Sequence, residues 1–436
     1  MPALLLVSYY FPPHAAVGAK RALRIASHLT RLGWSVQVLT VKEAYSQPLD
    51  PSLLDDAPAL DVIRTPALQP KRLVRRLRSL LRGPSAQPSQ HRPSAANPDG
   101  DSPSARPLVS ILWDSLFSIP DEFAGWLPFA LLAGRLRARR PDAVLATSPP
   151  FTCAVLGLLL AGLFRSPLIL DYRDPWTAST RIRHLPRWRQ KFDTTIERLS
   201  LRRAALTITT SEAIGAAVIR LGARRTRVIP NSFDLKLLSK SPPTRYSRFT
   251  IVYAGAFYES RSAEPILRAI AHLRNSGQLP ETGLALRVLG ISGPEVDRLA
   301  AHLGISSMVE IEGFLPYRQT LARLRGADAL LLVVGSDHSQ QIPAKLFDYL
   351  AARRFILALA PADSEAGRLV VELGVGWHVP QEDPPALSRA LLDLVNSPRG
   401  DIALPAAAMK YETAATMREL DRCLRAAIGH SPHPEC

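Results

Sequence analysis

Read for hydrophobic periodicity, the chain alternates short apolar runs with longer amphipathic stretches. In its first half, runs at 4–10 (LLLVSYY), 35–41 (SVQVLTV), 143–148 (AVLATS), 167–174 (PLILDYRD), 206–211 (LTITTS) and 227–233 (RVIPNSF) have the length and make-up of buried strands. A second set follows at 250–257 (TIVYAGAF), 284–290 (LALRVLG), 309–315 (VEIEGFL), 329–334 (ALLLVV), 355–360 (FILALA) and 376–380 (GWHVP). The clearest of the intervening helices covers about 19–32, and Gly33 closes it. Strands alternating with helices predict the α/β class, with parallel sheets covered on both faces. A polar stretch at 239–248, with Pro242 and Pro243, reads as a hinge, and 409–429 has helical periodicity. The expected architecture is two facing Rossmann-like, doubly wound parallel-sheet domains, at 1–240 and 241–404. A C-terminal helix within 405–436 crosses back onto the first domain and a short tail ends the chain. Ligands in such folds sit at the carboxyl ends of the strands.

Composition changes this picture at one point. The 47% hydrophobic and 21% charged content is ordinary, but the formal net charge is +16. Such a surplus attracts anions: nucleic acid, an acidic membrane surface or phosphorylated substrates. No zinc-finger spacing, heptad run or RNA-recognition aromatic motif occurs, so no specific nucleic-acid partner is expected. The three cysteines, Cys153, Cys423 and Cys436, are far apart and form neither a metal pattern nor a disulfide framework. The first residues lack a basic leader and a small-residue cleavage site, and the longest apolar run, 153–164, is well short of the roughly 20 residues a membrane span needs. A cytoplasmic location is the expectation, with possible attachment at the inner face of the cell membrane. Part of the charge lies in an insertion at about 70–107, whose basic segment 71–82 carries Leu73, Leu77, Leu80 and Leu81 at helical spacing. That segment either lies on an anionic membrane surface or is a solvated helix flanking a flexible loop. The Pro/Ser/Ala-rich remainder is expected to be disordered.

The stretch 335–365 concentrates the candidate chemistry. Its polar loop, with Gln340, Gln341 and Ile342, ends at Pro343, which suits the first helical position; the helix AKLFDYLAA follows. Backbone N–H groups at the positive end of that helix suit phosphate. Asp348, just over one turn on, suits sugar hydroxyls. Lys345 lies one turn before Asp348 and pairs either with phosphate or with Asp348. The loop after YAGAF carries Glu259 and Arg261, the latter a candidate phosphate ligand. In the first half, the loop 12–18 holds His14 and Gly18, and Gly18 allows close backbone approach. Lys20 and Arg21 open the next helix, where the helix dipole disfavours cations; an anion that compensates them is the implication, solvent exposure the alternative. DYRDPW brings Asp171, Arg173 and Asp174 to a strand end, as substrate contacts or, for at least one of them, as an internal Arg–Asp pair closing the turn. Phosphate-loop, G-x-G-x-x-G, H-E-x-x-H and G-x-S-x-G motifs are all missing. The one D-x-D, Asp99 to Asp101, lies in the insertion.

In order and spacing, several pieces resemble the family 4 glycosyltransferases of the GT-B fold, particularly those building bacterial colanic-acid and O-antigen polysaccharides. They are SYYFPP with Gly18 and Arg21, RLGWSVQVLT, PDEFAGW, PDAVLATSPP, DYRDPW, IPNSFD, YAGAF and IPAKLFDYLAARRFILA. The resemblance implies retaining transfer of a sugar from a nucleoside-diphosphate sugar to a glycan or lipid-linked acceptor, with no cofactor and no essential metal. It aligns Asp348 with the second acid of the family's E-x7-E motif, while the first acid position holds Gln340. Ser262 stands where many members carry the lysine of a diphosphate-binding basic pair, and Lys345 is the expected substitute beside Arg261. It further implies Asp174, then His14, as catalytic residues on the acceptor side, with Arg21 and Arg173 in contact with the acceptor or behind those residues. Two rival readings share the fold: a non-hydrolysing sugar-nucleotide epimerase, and a degenerate transferase-like binding protein.

Overall fold

The computed structural model describes residues 1–45, 47–69, 119–179, 182, 184–257, 261–280, 283–290, 293–336 and 339–429. The basic segment 71–82, Glu259, Asp99, Asp101 and Cys436 lie outside the described residues.

The chain divides into two compact units, residues 1–229 with those from Met417 onward, and Pro230–Thr416. The division falls before the proline-rich stretch that sequence marked as a hinge. Phe233 and Leu238 are the reason: both are buried in the core of the second unit, so 230–241 packs with the second sheet and its helices.

The first unit is built on a seven-stranded sheet of order β3-β2-β1-β4-β5-β6-β7. Its strands are β1 (Ala3–Val7), β2 (Ser35–Val41), β3 (Asp61–Thr65), β4 (Ala143–Ser148), β5 (Leu168–Tyr172), β6 (Ala204–Thr209) and β7 (Thr226–Val228), all parallel. Every residue of β4 and β5 is buried, which is why these central strands open on apolar runs with no alternation. The edge strand β3, DVIRT, is half-exposed and mixed in character, and its weak pattern escaped the sequence reading. Helices α1 (Val17–Arg31), α2 (Leu127–Arg137), α3 (Thr152–Phe164), α4 (Arg187–Arg203) and α5 (Glu212–Leu221) cover the sheet. Leu156, Leu160, Ile214 and Val218 fill one face with Val7 and Val144. Ile25 and Leu29 of α1 pack on the other face with Leu4 and Leu6, together with Leu420 and Leu424 from the C-terminal helix Thr413–Ala427. Trp34, fully buried, donates its indole N–H to Asp421 at 2.6 Å, fixing that helix.

The second unit carries a six-stranded parallel sheet of order β10-β9-β8-β11-β12-β13. Its strands are β8 (Phe249–Ala254), β9 (Leu284–Leu289), β10 (Val309–Gly313), β11 (Ala329–Val333), β12 (Phe355–Leu359) and β13 (Gly376–Val379). Between them run α6 (Leu235–Ser239), α7 (Glu264–Asn275), α8 (Pro294–His302), α9 (Tyr317–Gly326), α10 (Ala344–Ala352), α11 (Glu365–Glu372) and α12 (Pro384–Asn396). One core layer includes Ile266, Ile270 and Leu391 and the other Leu346, Phe347 and Leu350, on opposite sheet faces. Both orders step outward and reverse beside the first strand, the doubly wound plan, which aims ligands at the carboxyl ends of the central strands.

Several strands stop earlier than their apolar runs. β1 ends at Val7, where the Ser8 hydroxyl donates to the Tyr10 carbonyl at 2.7 Å. β5 ends at Tyr172, and Arg173 N–H turns to the Ser148 carbonyl. β7 stops at Val228, ahead of Pro230, which has no N–H to add to a ladder. The residues beyond each end form the loops that carry the candidate chemistry. Among the described residues, no helix is long and apolar enough to cross a membrane.

Candidate functional site

In the second unit the site grows from the ends of β8 and β11. Tyr349, on α10, uses its hydroxyl twice: it accepts from Ala254 N–H at 2.9 Å and donates to the Leu331 carbonyl at 3.0 Å. That pins α10 to both central strands. Gly255, just past β8, has φ +145, and a side chain there would begin 3.3 Å from the Lys345 ammonium. Lys345 itself lies in the first turn of α10 with Nζ 4.1 Å from the centroid of the Tyr253 ring. The ring is held by a stacking contact with Phe257 at 4.0 Å and by its hydroxyl, which donates to the Ala256 carbonyl. Burial, then the charge of Arg261, pushes the Lys345 pKa well below the ordinary lysine value. No described carboxylate offsets either effect, and Lys345 does not pair with Asp348. A desolvated ammonium beside a second cation, on a helix whose N-terminus no described side chain caps, is a place for an anion.

The remaining residues of this unit arrange as follows. The helix starts at Ala344, so Pro343 stands at its N-cap, one residue before the first helical position expected for it. Asp348 is buried, 7% exposed, and its Oδ1 accepts from the Tyr317 hydroxyl at 2.5 Å. Tyr317 opens α9, and nothing in its sequence surroundings singles it out. Gln340 is exposed, while Gln341 and Ile342 are half-buried; Ile342 packs against the core beneath α10. The turn is tied down by Glu365 N–H, which donates to the Ser339 carbonyl.

In the first unit the structure brings Gly18, Arg21, Asp171 and Arg173 together. Arg21 is 5% exposed and its Nε and Nη2 donate to Asp171 at 2.7–3.1 Å, while Nη2 also reaches the Ile229 carbonyl. Thr147 donates to the same carboxylate at 2.7 Å. Although burial alone would raise it, the Asp171 pKa falls below the usual carboxylate value because Arg21, and then Arg173, stabilise its charge. The anion that compensates a cation at the start of α1 is therefore part of the protein. Gly18 leaves room for the Arg173 guanidinium: a Cβ would lie 2.9 Å from its Nη2. Arg173 donates onward to the Pro149 carbonyl. Asp174, half-buried, makes no hydrogen bond or ion pair with a described residue.

His14 is built into its loop. Nδ1 accepts from Ala16 N–H at 2.9 Å, the ring lies against Tyr10 with centroids 4.7 Å apart, and a backbone contact reaches Gln47. Burial lowers its pKa to about 4, so the imidazole is neutral at physiological pH with its Nδ1 lone pair already used. Behind these loops lies a buried polar network that the sequence did not reveal. Glu197 accepts from Tyr172 and Thr177, Asp193 pairs with Arg189, and Asp121 accepts from Thr152. Burial raises all three carboxyl pKa values. The network fastens PDEFAGW and DYRDPW to α3 and α4, which explains why those motifs stand at fixed places. Among the described residues, no group of three or more His, Cys, Asp or Glu side chains could hold a metal ion.

Comparison with known proteins places this geometry. Residues 18–232 match the family described as Glycosyl transferase 4-like domain. A protein of Pseudomonas aeruginosa, named as the probable glycosyltransferase WbjE, is 25% identical over 173 residues, which cover 38% of this chain and 43% of that protein's own length. Among solved structures, sucrose-phosphate synthase from Thermosynechococcus elongatus superposes with a TM-score of 0.66 at 16% identity, over 99% of this chain and 100% of that one. Anabaena HepE, solved in complex with UDP-glucose, gives a TM-score of 0.58 at 14% identity, over 97% and 99% of the two chains. At these identities the structures establish the fold, the two-domain GT-B type.

Proposed function

We propose, on the premise that residues 18–232 belong to the glycosyl transferase 4-like family within a GT-B-type chain, that the protein is a glycosyltransferase. It moves a sugar from a nucleoside-diphosphate sugar to a glycan or lipid-linked acceptor in cell-envelope polysaccharide synthesis, with retention. The observation that carries this reading is Lys345: a desolvated ammonium with no described counter-carboxylate, beside Arg261 and the open N-terminus of α10. That is the charge arrangement a diphosphate requires, and it is strongest when negative charge grows on the leaving group. In the reaction the bond from the anomeric carbon to the β-phosphate oxygen breaks. The acceptor oxygen bonds to the same carbon on the same face, and the acceptor proton passes to the departing diphosphate. Asp348 with Tyr317 takes the ribose hydroxyls, the backbone of 340–342 lines the donor sugar, and Asp174 orients the acceptor. His14, Arg21 and Arg173 hold the acceptor-side loops in shape.

In this reading the protein's own cations balance the diphosphate, so chelators leave turnover unchanged. It works in the cytoplasm at the inner face of the membrane, and the basic segment 71–82 contributes to attachment. The test is calorimetric titration with UDP, GDP, dTDP and ADP, with Lys345→Ala and Asp348→Ala run alongside. One base is preferred, and each variant weakens it at least tenfold. Absence of binding for all four at millimolar concentration sinks the reading. Nucleotide release without any acceptor requirement, or sugar epimerisation without nucleotide release, redirects it.

A further inference from the structure

The helical layer of the first unit has an outward face unlike an ordinary solvated surface. Helix α2 packs beside α3, and α3 beside α4. On α2, Leu132 and Leu136 are 61% and 70% exposed; on α3, Leu159 and Leu163 are 41% and 47% exposed. On α4, Trp188, Phe192 and Leu199 are 47%, 45% and 46% exposed, and their spacing of four and seven puts them on one stripe. Exposed leucines are common singly, but two or three large apolar side chains exposed on each of three neighbouring helices mark an interaction site.

Charge identifies the partner. Helices α2 and α3 contain no Asp or Glu, and the two acids of α4, Asp193 and Glu197, are both 1% exposed and turned into the buried network. Every exposed charge on the three helices is basic: Arg135 and Arg137 on α2, and Arg187, Lys191, Arg198, Arg202 and Arg203 on α4. Arg135, Arg137, Arg187, Lys191 and Arg198 form no ion pair with a described residue. A Trp and a Phe among leucines, with cations that pair with no described residue beside them and no exposed acid on these helices, is the composition of a surface that sinks its apolar side chains among lipid headgroups. A second protein copy would bring the same cations against these, and they would repel.

We propose that the outward face of α2, α3 and α4 docks this protein on an anionic bilayer surface. The surface is distinct from the basic segment 71–82 and does not depend on the nucleotide assignment. A lipid-linked acceptor would be delivered to an enzyme seated in this way. The two sets of residues predict different losses, and vesicle sedimentation with the full chain separates them. Vesicles of phosphatidylcholine with about one-third phosphatidylglycerol bind the protein, and pure phosphatidylcholine vesicles bind it much less. Leu136→Glu with Phe192→Glu lowers the partition coefficient at least about tenfold, since each reversed position removes apolar burial and adds repulsion. Lys191→Gln with Arg198→Gln, a milder pair, lowers it about fivefold or more and makes its fall with salt shallower, because fewer cations remain to be screened. Melting curves superimposable on the parent show that the variants are folded. The proposal fails if the parent ignores anionic vesicles. It fails equally if both pairs bind like the parent while Arg75→Gln with Arg76→Gln loses binding, which assigns attachment to 71–82. A parent dimer in sedimentation equilibrium that Phe192→Glu dissociates would give the face to a second copy instead.

Discussion

The two units treat a desolvated cation in opposite ways. In the first, Arg21 is enclosed and fully answered: Asp171 takes two of its nitrogens and the Ile229 carbonyl shares one of them. Arg189 is likewise met by Asp193 and the Pro120 carbonyl. In the second unit, Lys345 is set over the Tyr253 ring with no described carboxylate, and the described charge that shifts it is another cation, Arg261. Desolvating a charge costs several kcal/mol unless partners recover it. The first unit recovers that cost internally, so its cations are architecture. Among the described residues the second leaves it standing, and burial with Arg261 lowers the lysine pKa, which is how ligand-binding groups are commonly held.

The comparison breaks first at Asp171. Asp171→Ala strands the Arg21 guanidinium in the sheet's carboxyl edge, and the expected loss is about 3–5 kcal/mol of unfolding free energy in the first unit. Urea denaturation followed by tryptophan fluorescence reads it, and Asp171→Asn loses less because Thr147 and Arg21 keep an oxygen to donate to. The carboxyl is held below its ordinary pKa, so its contribution is complete above about pH 4 and disappears as pH falls through the folded value. A parent and an Asp171→Ala variant of equal stability at neutral pH would mean that Arg21 finds other partners, and the contrast between the units would dissolve.

His14 tests the same idea with a group that titrates nearer neutrality. Its folded pKa of about 4 lies below the unfolded value near 6.5, so between these pH values the unfolded chain binds a proton that the folded chain refuses. Stability attributable to His14 is complete above pH 6.5 and declines as the solution is acidified, by roughly 2–3 kcal/mol at pH 4. The physical cause is burial, reinforced because a protonated Nδ1 would face the Ala16 N–H it now accepts from. His14→Gln removes that slope. Retention of the full slope in the variant would place the titrating group elsewhere.

How far these roles could be read from sequence differs along the chain. The central strands were legible because residues such as those of β4 are buried on both faces and begin with apolar runs that do not alternate. β3 was not, because an edge strand shows solvent one side and reads DVIRT. The cation at the start of α1 was legible as an anomaly, but its partner was not: Asp171 is 150 residues away. Sequence left open whether Asp171 contacts substrate or closes its own turn with a neighbouring arginine, and the structure pairs it instead with Arg21. Gly18 read as room for a ligand and is filled by Arg173. Lys345 and Asp348 stood out because a helix start follows a polar loop there. Tyr253, Tyr317 and the buried Glu197 carried no local signal, since each acquires its role from a residue distant in the chain.

Lys345→Met probes the opposite treatment. Removing a desolvated charge with no described counter-carboxylate leaves the melting temperature equal or higher, whereas nucleoside-diphosphate affinity falls about 10- to 100-fold, or about 1.4–2.7 kcal/mol. Binding to the parent also takes up a proton. A diphosphate opposes both effects that lower the Lys345 pKa, so the bound ammonium titrates above the free one. Affinity is therefore constant at low pH and declines once pH exceeds the free-protein value. Titrations in two buffers of different ionisation enthalpy read the uptake, and a heat independent of buffer across that range would mean Lys345 is not at the anion.

The smallest effect separates two roles for Tyr317. Its hydroxyl occupies Oδ1 of Asp348, yet a carboxylate has about four acceptor sites, so the contact leaves room for a ribose hydroxyl while fixing the rotamer. Tyr317→Phe then frees the carboxylate to turn and weakens nucleotide binding by about fivefold, near the 1 kcal/mol typical of one hydrogen bond. Loss of the nucleobase's sugar hydroxyls from the ligand, by comparing a 2′,3′-dideoxynucleoside diphosphate, costs the parent more than it costs the variant, because only the parent presents Asp348 ready-aligned. If Tyr317→Phe binds tighter instead, the tyrosine is a competitor that the ribose must displace. The second unit would then hold a carboxylate as tightly internally paired as Asp171 in the first, and the contrast would narrow to Lys345 alone.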